Sequence, residues 1–314
     1  MRFGLHTGQQ ECSLEDLVAV WRLAEEVGFD SIFTSDHFYP IPRGDGSAVC
    51  YEPVATLTAL ALETTRVRIG CLVWAVGFRS PGVVAKAVAT IDAWSNGRVE
   101  LGLGTGAMEA EYTAFGYDFP SARTRLDQLE EACVVVPGLL RNERFTYRGR
   151  HFRVDNASLT PRPVQERVPL WIGGKGMQRL VPIAARYADV YNGNNMTPEE
   201  YGTRIRRLDE CLTTEGRQPG DVGRAINVGF YMGATARDAD AYRRQVDASY
   251  LRPDEVLLGT VDEVVEQVAA YRAAGAQQVN LNVFGNRPPF DSDAIARFAA
   301  DVIPQFRIRS SPTP

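Results

Sequence analysis

An aspartate and a histidine stand side by side in Ser35-Asp36-His37-Phe38-Tyr39-Pro40, where the run Ser31-Ile32-Phe33-Thr34 has just ended. Imidazole titrates near neutral pH, so a histidine at the end of a strand can exchange a proton with a ligand lying beyond that strand. The bland alternative is a histidine that caps the next helix or bonds to backbone. A second segment, Trp94-Ser95-Asn96-Gly97-Arg98-Val99-Glu100-Leu101-Gly102-Leu103-Gly104-Thr105-Gly106, closes a helix, runs one strand and ends in glycine-rich backbone. With no β-carbon in the way, main-chain N–H groups there can approach an anion directly. Its spacing is not that of a dinucleotide fingerprint: the third glycine comes one position early, and two strand–helix units precede it. A third segment, Pro169-Leu170-Trp171-Ile172, opens into Gly173-Gly174-Lys175-Gly176 ahead of a helix. Two glycine-rich mouths after successive strands can converge on one phosphate, with the helix N-terminus adding a favourable field and Lys175 a charge. An ordinary tight connection and a solvated loop lysine are the competing readings.

The elements that must position these residues alternate from end to end. Phe3-Gly4-Leu5-His6 reads as a strand; Leu14, Leu17, Val18 and Trp21 then recur at helical spacing behind a Ser13 cap, and Gly28 ends that helix. Thr260 and Glu263 form a capping box near the other end, and Thr197-Pro198-Glu199-Glu200 opens another helix with proline where a missing N–H costs nothing. Strands are expected at 2–7, 31–36, 67–75, 98–105, 169–174, 189–194, 225–233 and 278–285. Eight strands alternating with helices predict one α/β domain over residues 1–314, a (β/α)8 TIM barrel with insertions at its C-terminal face and a frayed tail at 307–314. Residues 37–50, 107–122 and 234–258 follow strand ends, the last of them largely helical in pattern. Alternation around Gly149 within 141–168 suggests a β-hairpin.

Composition limits the partners. The net charge of −5 gives no chain-wide attraction to nucleic acid or anionic lipid, and no apolar run reaches the roughly 18 residues needed to cross a bilayer. Five scattered cysteines with no Cys-x-x-Cys pair, and three histidines, predict reduced thiols, no metal site and a cytoplasmic protein.

Together these segments resemble the luciferase-like family of flavin- and deazaflavin-dependent oxidoreductases. The resemblance is carried by Ser35-Asp36-His37, Thr64-Thr65-Arg66-Val67-Arg68-Ile69-Gly70, Ser95-Asn96-Gly97-Arg98 with Leu101 to Gly106, Pro161-Arg162-Pro163-Val164-Gln165, Ile172-Gly173-Gly174 and Ala185-Arg186-Tyr187-Ala188-Asp189, in order over most of the chain. It is nearest to the branch that uses coenzyme F420, a 5-deazaflavin with a phosphate and an oligoglutamate tail. That resemblance implies a cofactor ring across the barrel mouth, touched by Asp36, with catalytic His37 facing the reacting centre. It places the cofactor phosphate on Thr105, Gly106 and Gly173, Gly174, Lys175 and Gly176, and a cis peptide behind the ring at Cys71-Leu72. Arg43, Arg79, Lys175 and Arg179 lie on segments able to meet the tail; Tyr39, Trp74, Phe115, Tyr231 and Phe284 are candidate substrate walls. The sugar-phosphate-oxidising members carry a glutamate after the strand-four glycines and a lysine after strand six, where this chain has Ala107 and Asn194-Asn195-Met196-Thr197. They also have a tryptophan where Ile41 stands, so a sugar phosphate is not the expected substrate. The implied activity is hydride transfer between F420 and a small organic substrate, in a homodimer. The alternatives are FMNH2-dependent monooxygenation on the same fold, with FMN as cofactor, and a non-catalytic flavin or deazaflavin binder.

Overall fold

The computed structural model describes residues 1–42, 44–247, 251–283 and 290–307. Arg43, Phe284 and the tail beyond Arg307 therefore lie outside the described residues. The strands are β1 (Arg2–His6), β2 (Ser31–Thr34), β3 (Arg68–Ala75), β4 (Val99–Gly104), β5 (Phe145–Arg148), β6 (Arg153–Ala157), β7 (Leu170–Gly173), β8 (Val190–Asn194), β9 (Gly223–Met232), β10 (Val256–Gly259) and β11 (Gln278–Asn282). Eight of them, β1, β2, β3, β4, β7, β8, β9 and β11, pair in parallel and close through β8–β9 and β9–β11 into a barrel. β5 and β6 form the expected antiparallel hairpin.

Helices separate the strands because the connections supply the apolar stripe, and many of them the capping side chain, that a helix needs. In α1 (Leu14–Glu26) Ser13 and Asp16 exchange hydrogen bonds at the N-terminus, and Leu17, Val20, Trp21 and Ala24 are buried. α2 (Pro53–Glu63) and α3 (Pro81–Trp94) both begin on proline, where the lost N–H had no partner to lose. After β4 come α4 (Glu109–Ala114) and α5 (Ala122–Arg141), and β7 is followed by α6 (Leu180–Tyr187). α7 (Pro198–Thr214) carries the capping pair Thr197 and Glu200. α8 (Ala236–Asp247) and α9 (Val261–Ala273) follow, the latter with Glu263 accepting from the Thr260 N–H. Within 234–258 the chain departs from the helical expectation: Val256–Gly259 is β10, which pairs with Gly229–Met232 of β9 and extends the wall above β11.

One irregularity shapes the mouth. Along β3 and β4, Cys71 pairs with Leu101 and Trp74 with Leu103, so Leu72 and Val73 together oppose Gly102. This is a bulge, and the cis peptide lies inside it at Leu72-Val73, one bond beyond the expected Cys71-Leu72, because those two residues supply the extra length. Neighbouring glycines make room for it. A β-carbon on Gly102 would overlap the Cys71 carbonyl, one on Gly104 would overlap Val73, and one on Gly173 would lie 3.0 Å from Val73 Cγ1. From β1, two strands away in the barrel, the buried His6 Nε2 lies 3.1 Å from the Leu72 carbonyl oxygen.

Two consequences are measurable. Gly102→Ala forces a methyl group against backbone that cannot retreat, so stability should fall by roughly 1–3 kcal/mol; an unchanged urea midpoint would contradict the packing. Burial lowers the His6 pKa from 6.5 to about 4, against the pull of its bond to Leu72. The unfolded chain thus takes up a proton that the folded chain refuses, so His6 supports stability above pH 6.5 and loses that contribution as pH falls toward 4. His6→Asn should flatten the acid limb of the stability curve by roughly 3 kcal/mol over that window. Parallel limbs for the two proteins would refute the assignment.

Candidate active site

The segment after β2 is pinned from both sides. Gln9, fully buried, donates through Nε2 to the Ser35 carbonyl at 2.7 Å and accepts the Ser35 N–H at 3.1 Å. Gln10 repeats the pattern at Ile41, donating to its carbonyl at 2.8 Å and accepting its N–H at 3.0 Å. Cys50 Sγ donates to the His37 carbonyl at 3.3 Å. From above, Glu111 of α4 is wholly buried, and its Oε1 accepts the Phe38 and Tyr39 N–H groups at 2.7 and 2.9 Å. Its Oε2 lies 2.9 Å from His37 Nδ1. A carboxylate already holding two N–H donors takes an Nδ1–H as its third, which leaves the Nε2 lone pair of His37 as the reactive face. Nothing in the sequence around Glu111 distinguishes it from the solvated Glu109 two residues earlier; only the fold shows that α4 turns it inward.

Asp36 has a different occupation. Arg79 Nη1 contacts both its oxygens, at 2.7 and 2.9 Å, and the Ala75 N–H donates at 2.8 Å. Arg79 Nη2 continues to Glu52 at 2.7 Å, and its guanidinium lies over the Trp74 ring at 5.2 Å. Burial pushes the Asp36 carboxyl above the usual carboxylate range, opposed by Arg79 and the Ala75 N–H. Arg79 is therefore part of the wall beneath the mouth and not a surface cation for a cofactor tail. Arg179 is also engaged, with Asp127 at 2.8 Å and Glu130 at 3.6 Å, and Lys175 Nζ lies 3.6 Å from Glu255.

A cavity of about 470 Å³ opens at the C-terminal ends of the strands, bordered by His6, Asp36, His37, Ile41, Leu72, Val73, Phe78, Thr105, Gly106, Ala107, Glu111, Gly173, Gly174, Lys175, Asn192, Asn194, Asn227 and Asn282, among others. The structure thus brings His37, Asp36, Leu72 and both glycine-rich mouths to one space. It does not bring Cys71 or Trp74 there. Both are buried in the outer core beneath the helices, because the bulge turns Leu72 and Val73 inward and puts Cys71 and Trp74 on the same outer face. Burial raises the Cys71 thiol pKa well above its ordinary value. Gly176 borders a neighbouring surface groove with Arg123 and Arg179, and Tyr231 packs against Tyr242 and Val256 away from the cavity. Tyr39 and Phe115 meet as tilted rings with centroids 5.3 Å apart, outside the cavity lining, with Phe115 half-exposed. Ile41 and Phe78 take the place of those expected aromatic walls.

The mouths fit a phosphate through their backbone. Among the described residues, the Thr105, Gly106, Lys175 and Gly176 amides donate to no other group. The Gly174 amide does not share this freedom, since it donates to the Asn192 carbonyl at 3.1 Å. Gly106 has φ +68°, and a β-carbon on it would overlap the Tyr112 hydroxyl, so its glycine is required by packing as well as by any ligand. A Val at this position would disturb the loop and report on more than phosphate contact. Across the barrel floor, Asn280 Nδ2 donates to Asn227 at 2.9 Å, and Gln278 Nε2 donates to Ser31 and Asn280 at 2.8 Å. Sequence reasoning missed this carboxamide floor, Glu111 and the inward His6.

This site lies in a chain whose residues 1–253 match the model of the luciferase-like monooxygenase family. An F420-dependent glucose-6-phosphate dehydrogenase of Microbacterium testaceum is 36% identical over 231 residues, covering 73% of this chain and 67% of that one. Its counterpart from Intrasporangium calvum is 28% identical over 98% of this chain and 99% of its own. Among solved structures, an F420-dependent secondary alcohol dehydrogenase in complex with an F420-acetone adduct superposes with a TM-score of 0.85 at 23% identity, covering 98% of this chain and 99% of that one. A monooxygenase from Streptomyces bottropensis reaches 0.83 at 22% identity, over 98% of this chain and all of that one. Family match, barrel and mouth agree: the chain belongs to the luciferase-like monooxygenase family.

Proposed function

We infer that this chain is an F420-dependent oxidoreductase that moves a hydride between the deazaflavin and a small organic substrate, with His37 handling the accompanying proton. The relatives at 28–36% identity that carry F420 dependence in their names support the cofactor. The observation that carries the role of His37 is its contact with Glu111 at 2.9 Å, which commits Nδ1 and leaves Nε2 for the cavity it borders. F420, when bound, supplies the hydride chemistry; the protein supplies position and proton flow. The Thr105 and Gly106 amides on one side and that of Lys175 on the other are suited to the phosphate. Leu72 and Val73 present an apolar back wall for a flat ring, and Asp36, locked by Arg79, borders the same surface. Lys175, with Glu255 beside it, contributes a screened charge at most. A cytoplasmic location, read from five scattered cysteines with no Cys-x-x-Cys pair, and a homodimeric state, implied by the family resemblance, complete this reading.

The test is titration of the apoprotein with F420 and with FMN, followed by fluorescence. Micromolar or tighter F420 binding with negligible FMN binding is expected, and an FMN preference would favour monooxygenation instead. His37→Ala should keep the F420 affinity while lowering the single-turnover rate of F420 reduction by about 10²–10⁴-fold. An unchanged rate would make His37 structural.

A further inference from the structure

Two tyrosines that border no part of the cavity hold the loops that do. Tyr112 of α4 and Tyr191 of β8 are fully buried, the first beside Ala75 and Phe78 and the second in the main core. The Tyr112 hydroxyl donates to the Thr105 carbonyl at 3.4 Å, and the Tyr191 hydroxyl donates to the Gly174 carbonyl at 3.3 Å. The Thr105 C=O belongs to the same peptide unit as the Gly106 N–H, and the Gly174 C=O to the same unit as the Lys175 N–H. Among the described residues, both of those N–H groups donate to no other group. The C=O and N–H of a trans peptide point in opposite directions. A carbonyl drawn outward to a tyrosine therefore turns its amide toward the cavity that Thr105, Gly106, Gly174 and Lys175 border. Each peptide adjoins a glycine with positive φ, Gly106 at +68° and Gly174 at +145°, where the backbone has the freedom to turn the plane over. A reversed plane would present a carbonyl oxygen to an anion. Burial pushes both phenols up to about 12, so each stays an O–H donor through the neutral range.

Resting on the F420 reading above, we propose that Tyr112 and Tyr191 are paired positioning residues for the cofactor phosphate, each holding one peptide so that its N–H meets the anion. The two act alike from different elements, one on each glycine-rich mouth. A hydroxyl donating to the carbonyl draws electron density along the peptide and makes the N–H at its other end a stronger donor. Both bonds are long for O–H···O contacts, and engagement of the amide by an anion should shorten them. Packing reserves the space for one of these hydroxyls: a β-carbon on Gly77 or on Gly106 would overlap that of Tyr112.

The experiment titrates the parent protein, Tyr112→Phe and Tyr191→Phe with F420 and with its deazaflavin core bearing ribitol but no phosphate or tail, followed by fluorescence. Phenylalanine keeps the ring packing and removes only the hydroxyl. Each variant should bind F420 roughly threefold to tenfold more weakly than the parent, with its affinity for the phosphate-free ligand unchanged. Equal losses for both ligands, or an unaltered F420 affinity in either variant, would overturn the proposal. A second readout follows from composition, since the chain has only two lysines, Lys86 in α3 and Lys175. Protein labelled with ¹⁵N-lysine therefore shows two backbone amide signals, that of Lys86 serving as the control. F420, and not the phosphate-free ligand, should move the Lys175 amide proton downfield; Tyr191→Phe should shrink that movement and Tyr112→Phe should leave it. A Lys175 signal that F420 does not move, or that both variants change alike, would contradict the assignment. If the parent protein binds FMN and not F420, the cofactor reading fails and the same comparison is made with FMN against riboflavin. Binding of neither phosphate ligand would overturn both.

Discussion

A single buried carboxylate organises the mouth of this barrel. Glu111 receives three donors, two from the backbone of the segment that follows β2 and one from His37 itself. Hydrogen bonds to a charged group contribute about 1.5–3 kcal/mol each, more than the 0–1 kcal/mol typical of exposed ion pairs such as Arg22 with Glu63. The loops after β2 and β4 are therefore one unit. Gln9, Gln10 and Cys50 hold that unit to the barrel below, so the imidazole is fixed by backbone geometry as well as by its own contact.

The bulge in β3 does the corresponding work for the cavity floor. By turning two consecutive side chains inward it replaces a normal pleat with an apolar shelf of Leu72 and Val73, and it needs glycine at 102, 104 and 173 to seat them. Part of what reads as an anion-binding signature in Leu101-Gly102-Leu103-Gly104 is thus a packing requirement. Only the next turn, Thr105-Gly106, presents backbone amides without partners. Glycine-rich loops carry both demands at once, and sequence alone does not separate them.

The alternation of strands and helices was legible because buried parallel strands are nearly continuously apolar and the helices carry explicit caps at Ser13, Thr197 and Thr260. β10 escaped notice because four apolar residues after a helix are equally compatible with a loop. The resemblance puts Cys71 behind the cofactor ring and Trp74 is a candidate wall near the strand's end; in an unbroken strand the two would face opposite ways, and the two-residue bulge between them puts both on the outer face. His37 was visible from its place at a strand end. Its partner was not, since Glu111 lies 74 residues away and looks like any helix-surface glutamate. The carboxamide floor of Asn192, Asn227 and Asn280 was hidden for a similar reason: asparagines spread over three strands meet only when the barrel closes.

Which nitrogen of His37 carries the proton decides where a proton can pass to or from the cavity. Long-range nitrogen–proton correlation NMR on protein labelled with ¹⁵N-histidine, near neutral pH, reads this directly. The structure predicts that the neutral ring holds its proton on Nδ1, against Glu111, with Nε2 unprotonated toward the cavity, and that Glu111→Gln shifts both resonances. A neutral His37 protonated on Nε2, or resonances indifferent to Glu111, would contradict the claim that this pair sets the direction of proton transfer.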